Sequence, residues 1–152
     1  MKKASLLLLL FFYSFNSLGA ELDSLSKHTY EGWDNDVTEI SYVATRCSAL
    51  YATLKVYFQE NGKTSGDKEF VKAFNKSSEQ LGALGLLVAP QIGLSKEKFE
   101  LRYKEFIKIY SNKVIINKTL NNSAFDDKLF QELKICKTVA ETTNEAFNNL
   151  KK

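Results

Sequence analysis

The chain is poor in the residues that do most of a protein's chemistry. Its 152 residues include one histidine, one tryptophan, one proline, two cysteines and a single methionine, Met1. A haem or metal centre normally declares itself through histidine, methionine or clustered cysteine. Here His28 stands far in sequence from Cys47 and Cys136, and neither a c-type haem motif nor a Glu-x-x-His pair is present. No metal ligand and no cofactor is therefore expected. The Gly-x-Ser-x-Gly and serine–lysine signatures of nucleophilic enzymes are missing, as are phosphate-cradling glycine loops. Basic residues (21, against 18 acidic) are dispersed along the chain, so no nucleic-acid footprint is expected. A long apolar run is lacking too. The longest, Ala4 to Phe15, falls short of the roughly 20 apolar residues that a membrane-spanning helix needs.

That short run nevertheless has a purpose. Met1-Lys2-Lys3, an apolar stretch and the small residues Ser17, Gly19 and Ala20 have the layout of a secretory signal peptide over residues 1–20. The expected cut lies between Ala20 and Glu21. Leu18 is large for its place, which leaves a cut after Gly19 as the alternative, and an uncleaved N-terminal anchor is the competing reading. No cysteine follows the cut, so lipoprotein attachment is not expected. Removal leaves 132 residues, the size of one domain, with 19 basic and 18 acidic side chains. Residues 21–33 form a polar lead, and 34–152 form a single helical domain. The acidic residues near His28 (Glu21, Asp23, Glu31, Asp34 and Asp36) read as a solvated, partly mobile lead rather than a metal site. Export implies a periplasmic or secreted protein, and an oxidising compartment joins Cys47 to Cys136.

Four stretches repeat apolar residues at helical spacing, and strand alternation is sustained nowhere. The first runs from about Asp36 to Glu60, with Asp36 and Glu39 as a capping box and Ile40, Ala44, Cys47, Tyr51, Leu54 and Phe58 on one face. The second, from near Asp67, carries Phe70, Phe74, Leu81, Leu84 and Val88 and stops at Ala89-Pro90. Ser95 caps the third, whose inner face is Phe99, Tyr103, Phe106, Tyr110 and Val114; the β-branched Val114-Ile115-Ile116 threatens a break before Leu120. Ser123 and Asp126 start the fourth, with Phe125, Leu129, Leu133, Cys136, Ala140, Phe147 and Leu150 along its stripe. Both cysteines sit halfway along inner stripes. In an antiparallel up-down-up-down bundle the first and last helices are neighbours, so their midpoints meet. The expected fold is thus all-α: an antiparallel four-helix bundle with its first and last helices cross-linked by a disulfide.

Three features bear on function. The only arginines are Arg46 and Arg102, against nineteen lysines. Arginine's planar fork suits either a structural ion pair or a grip on an acidic ligand or partner. The segment 81–92, with Leu84 and Leu87, is uncharged on every side and is either a buried helix end or an exposed patch for a partner or a second copy. Tyrosines, notably Tyr51 and Tyr103, suit core packing or the wall of a ligand cavity. The leading reading is an exported, non-enzymatic protein that binds another macromolecule in an interaction, inhibitor or accessory role. A carrier of a small apolar or weakly acidic ligand in the bundle interior is the alternative, and a carboxylate-dependent hydrolase is the third.

Overall fold

A computed structural model of the chain describes residues 22–149. The expected signal peptide, residues 1–20, lies outside the described residues, as do Leu150 and the side chain of Phe147. Four helices follow in order: α1 (Val37–Asn61), α2 (Ser65–Val88), α3 (Lys96–Asn121) and α4 (Asp127–Asn149), with no strand among the described residues. None of these helices is long and apolar enough to cross a membrane.

The helix ends follow local chemistry. Asp36 caps α1 by accepting the N–H groups of Thr38 and Glu39. The reciprocal half of the expected box is not made, because the Glu39 carboxylate turns instead to His28 Nδ1 at 2.9 Å. A complete capping box appears at the start of α2, between Thr64 and Asp67. Ser95 caps α3 by accepting from the N–H of Lys98. That helix runs unbroken through Val114-Ile115-Ile116 to a left-handed Asn122 (φ 52°). For α4 the cap is Asp126, which accepts the N–H of Leu129 at 2.7 Å. Ser123, three residues earlier, closes a turn onto Phe125.

The bundle is built around α1. It touches each of the other three helices, and every residue from Val43 to Tyr51 is buried. Periodicity alone points to a single inner face, yet α1 is enclosed all round at mid-length. The cause lies in small residues. Ser48 Oγ donates to the Ser78 carbonyl at 2.7 Å, and Ser78 Oγ donates back to the Ser48 carbonyl at 2.9 Å. One and two turns further along α2, Gly82 and Gly85 bring its backbone against Ser48 and Thr45. The polar side of α1 is thereby covered at close range: Ser48 and Ser78 satisfy each other across the pair, Thr45 donates to the Ser41 carbonyl of its own helix, and the buried Ser41 hydroxyl has no partner among the described residues.

On the opposite side Cys47 and Cys136 form the expected disulfide, with Cα atoms 5.2 Å apart. It closes a loop with a sequence separation of 89 residues, for which chain entropy gives about 4–5 kcal/mol. The helix directions agree with the expected bundle. Phe58 meets Phe125 while Cys47 meets Cys136, so α1 and α4 are antiparallel. Tyr42 meets Phe106 and Arg46 meets Tyr110, so α1 and α3 run parallel.

Two expectations change. Phe70 was placed on the inner stripe of α2 but is 52% exposed, because it lies at the outer edge of an aromatic cluster with Phe58 and Phe74. The acidic side chains of the lead and its end, Asp23, Glu31, Asp34 and Asp36, are exposed as expected, but the lead is not a loose tail. It folds as two short 3-10 turns, Leu25–Lys27 and Trp33–Asn35, and Leu25 is fully buried in the core.

The close approach of α1 and α2 makes a directional prediction. A Cβ at Gly85 would sit 2.8 Å from Thr45 Oγ1 and 3.1 Å from the Phe99 ring. Gly85→Ala should cost about 1–3 kcal/mol through overpacking, outweighing the roughly 1 kcal/mol that alanine gains in a helix. At Gly66, also in α2, the nearest atom is 3.6 Å away, so Gly66→Ala should stabilise. Urea denaturation of the two variants reads the order directly, and a Gly85→Ala chain as stable as the parent would contradict the packing described.

Candidate functional site

Arg46 is fully buried, and each of its three guanidinium nitrogens donates a hydrogen bond. Nε donates to the Tyr110 hydroxyl at 2.9 Å, one terminal nitrogen to the Tyr42 hydroxyl at 3.1 Å, and the other to Glu132 Oε1. Tyr110 in turn donates to Glu132 Oε2 at 2.7 Å, which closes the network. Burial alone would lower the guanidinium pKa, but the Tyr110 and Glu132 oxygens outweigh it and hold Arg46 above its usual value. Desolvation, joined by the Glu132 charge, pushes the Tyr110 phenol far above the ordinary range. Arg46 is thereby held as a guanidinium and Tyr110 as a neutral phenol. The network sits beside the disulfide, with Arg46 adjacent to Cys47 and Glu132 one turn from Cys136. No donor of Arg46 faces solvent to grip a ligand.

Arg102 does not join it. It lies eight residues before Tyr110 on α3, about 12 Å along the helix axis; it is half-buried, with no carboxylate within ion-pair range among the described residues. Tyr51 is buried and stacks on Phe74 with ring centroids 5.4 Å apart. Burial, then the Glu141 charge, raises its pKa to about 12. Tyr103 packs half-buried against the core. Both act as core aromatics here.

Leu84 and Leu87 have a different setting. The 81–92 segment divides by face: Leu81, Gly85, Val88 and Ala89 are buried, whereas Leu87 is 67% exposed and Leu86 also faces water. Leu84 and Leu87 form one wall of an open groove of about 580 Å³. Ile135, Val139 and Ala146 of α4 form the opposite wall, and Trp33 of the lead and Ile40 of α1 close the end. Four threonines also line it, and three have their hydroxyls bound back to backbone carbonyls: Thr29 to Leu25, Thr138 to Lys134 and Thr143 to Val139. Asp34 is its one charged residue. The groove therefore offers apolar surface and few free donors.

A second groove of about 550 Å³ runs between α1 and α3, lined by Val56, Ile107, Val114 and Ile115 among others. A polar pocket adjoins it, where Glu60 and Asp67 both appear. Asp67 is engaged by the start of α2. The Thr64 hydroxyl and backbone N–H, with the Lys63 N–H, bond its carboxyl and hold its pKa below the usual value, whereas a general acid at neutral pH needs a raised one. Tyr57 is the one tyrosine in either groove. Among the described residues no group of histidine, cysteine and carboxylates is placed to hold a metal ion.

No protein-family model matches the chain, and neither a curated protein nor a solved structure shows significant similarity to it.

The network yields a double-mutant prediction. Either Arg46→Met or Glu132→Leu alone strands a buried charge and should cost about 3–5 kcal/mol. Together they remove both charges, so the double variant should lose distinctly less than the sum of the singles by denaturant titration. Strictly additive losses would mean that the pair is not coupled.

Proposed function

We propose that this chain is an exported, non-enzymatic protein that binds a partner protein by taking an apolar helix face into the groove between α2 and α4. The observation that carries the reading is the apolar wall formed by Leu84 and Leu87, which runs on into the exposed Leu86. A small ligand lodged in the groove would leave those rim leucines in water. A helix laid along it would cover them, and contiguous exposed apolar surface of this kind marks interaction sites. The lining positions on α4 run from Ile135 to Ala146, about 16 Å or three turns, the length over which a docked helix presents its anchors.

Export rests on two further supports: the signal-like N-terminal sequence and a disulfide of the kind formed outside reducing compartments. The periplasm or the medium is the proposed location.

Site-specific photocrosslinking in the cell that makes the protein tests this reading. A photoreactive residue at Leu87 should give one discrete protein adduct, whereas the same residue at exposed Lys104 on α3 should give none. Leu84→Glu should abolish the adduct without unfolding the chain. An adduct with a second copy would turn the reading into self-association, and no adduct from Leu87 under conditions of normal expression would refute it.

A further inference from the structure

The α1–α3 groove differs from the first in the charge at its mouth. Its wall on α3 runs from Ile107 to Thr119, about 18 Å along the axis. At the lower end stand Ala52, Ile107 and Val114; at the upper end stand Glu60, Asn61 and Lys118. Of the three serine and threonine side chains in its lining, Thr53 and Thr119 turn their hydroxyls back to the carbonyls of Ala49 and Ile115, and Ser111 stands beside Ile107, Val114 and Ile115 on a largely apolar wall. Val56 and Ile115 leave 46% and 62% of their surface exposed on its walls.

The upper end opens directly into the polar pocket, for Tyr57, Glu60, Asn61 and Lys118 line both. Together the two spaces form one elongated, amphipathic recess. Lys118 stands at the junction. Its Nζ lies 3.4 Å from the Tyr57 hydroxyl and 5.7 Å from the Tyr57 ring centroid, and it has no carboxylate within ion-pair range among the described residues. Lys55 lines the groove and donates to Asn75 at 3.0 Å; Lys63 lines the polar pocket. Against these three ammonium groups stand Glu60 and Asp67, and the Asp67 charge is already answered by the start of α2. The mouth is left with an excess of positive charge above an apolar floor.

We propose that this recess binds a single-chain amphiphile with an anionic head, a fatty acid being the simplest case. The acyl chain lies between α1 and α3 and the carboxylate meets Lys118. A volume of about 550 Å³ falls within the range of small-molecule sites, and the length suits one extended chain rather than a two-chain lipid. The site is separate from the α2–α4 groove and stands independently of the partner-binding reading.

The test is calorimetric titration of the delipidated, disulfide-intact chain with myristate below its micellar concentration. One binding event per chain is expected. Lys118→Glu should weaken it by about tenfold or more, and the methyl ester of myristate should bind the parent chain correspondingly more weakly. Ile115→Glu should abolish it; this side chain is already in water, so circular dichroism should report an unchanged fold. Leu84→Glu, in the other groove, should leave the titration as it was. No binding, binding indifferent to both Lys118→Glu and esterification, or binding lost with Leu84→Glu would each overturn the proposal.

Discussion

A guanidinium that never meets water must be answered entirely from inside the protein, and much of this structure is arranged around that requirement. Arg46 lies at the middle of the most enclosed helix. Its answer comes from three elements at once: Tyr42 on α1, Tyr110 on α3 and Glu132 on α4. A slip of α4 by a single turn would strand a buried charge, and a slip of α3 would take the Tyr110 hydroxyl from Arg46 and Glu132, so the network acts as a register lock as well as an ion pair. Tyr42 links it outward, for His28 packs on that ring at 4.3 Å while bonding Glu39. The N-terminal lead is thus fastened to the same unit that fixes the bundle interior.

The disulfide and the α1–α2 contact divide the remaining work. The covalent bond ties α1 to α4 beside the ion pair, where the two constraints reinforce one register. The opposite side of α1 is held without a covalent bond, by reciprocal serine hydrogen bonds and by glycines that remove the side chain at the point of closest approach. Because three helices surround α1, they need little contact among themselves at every level, and the intervening furrows stay open. The α2–α4 groove arises at such a furrow, and the other lies between α1 and α3. The fold thereby produces two open grooves.

The helices, their ends and the disulfide were legible because each rests on local patterns: apolar spacing, caps, one proline and two cysteines. What was not legible is what depends on three-dimensional neighbours. Arginine scarcity drew attention to Arg46, but its partner was hidden among 18 acidic residues. A signal did exist. Glu132 falls on the apolar stripe between Leu129 and Cys136, an unusual place for a carboxylate, and the disulfide sets that turn opposite Arg46. The enclosure of α1 was hidden for another reason: serine, threonine and glycine read as a solvated face unless a partner helix supplies matching small residues. Likewise the lead looked like a tail because its acidic residues outnumber its anchors, although Leu25 is buried in the core with Leu22 and Trp33 packed against it. Leu84 and Leu87 were legible as a patch but not as the wall of a groove, since Trp33, Ile40 and Ile135 come from distant parts of the chain.

Arg46 is wholly internal, and the presence of only two arginines makes that directly measurable. Proton–nitrogen NMR of a labelled sample should show two guanidinium Nε–H signals, from Arg46 and Arg102. The Arg46 signal should exchange slowly with solvent and survive into alkaline solution where the half-buried Arg102 signal has vanished. Equal, fast exchange of both would mean that Arg46 reaches water, and the register lock described here would be wrong.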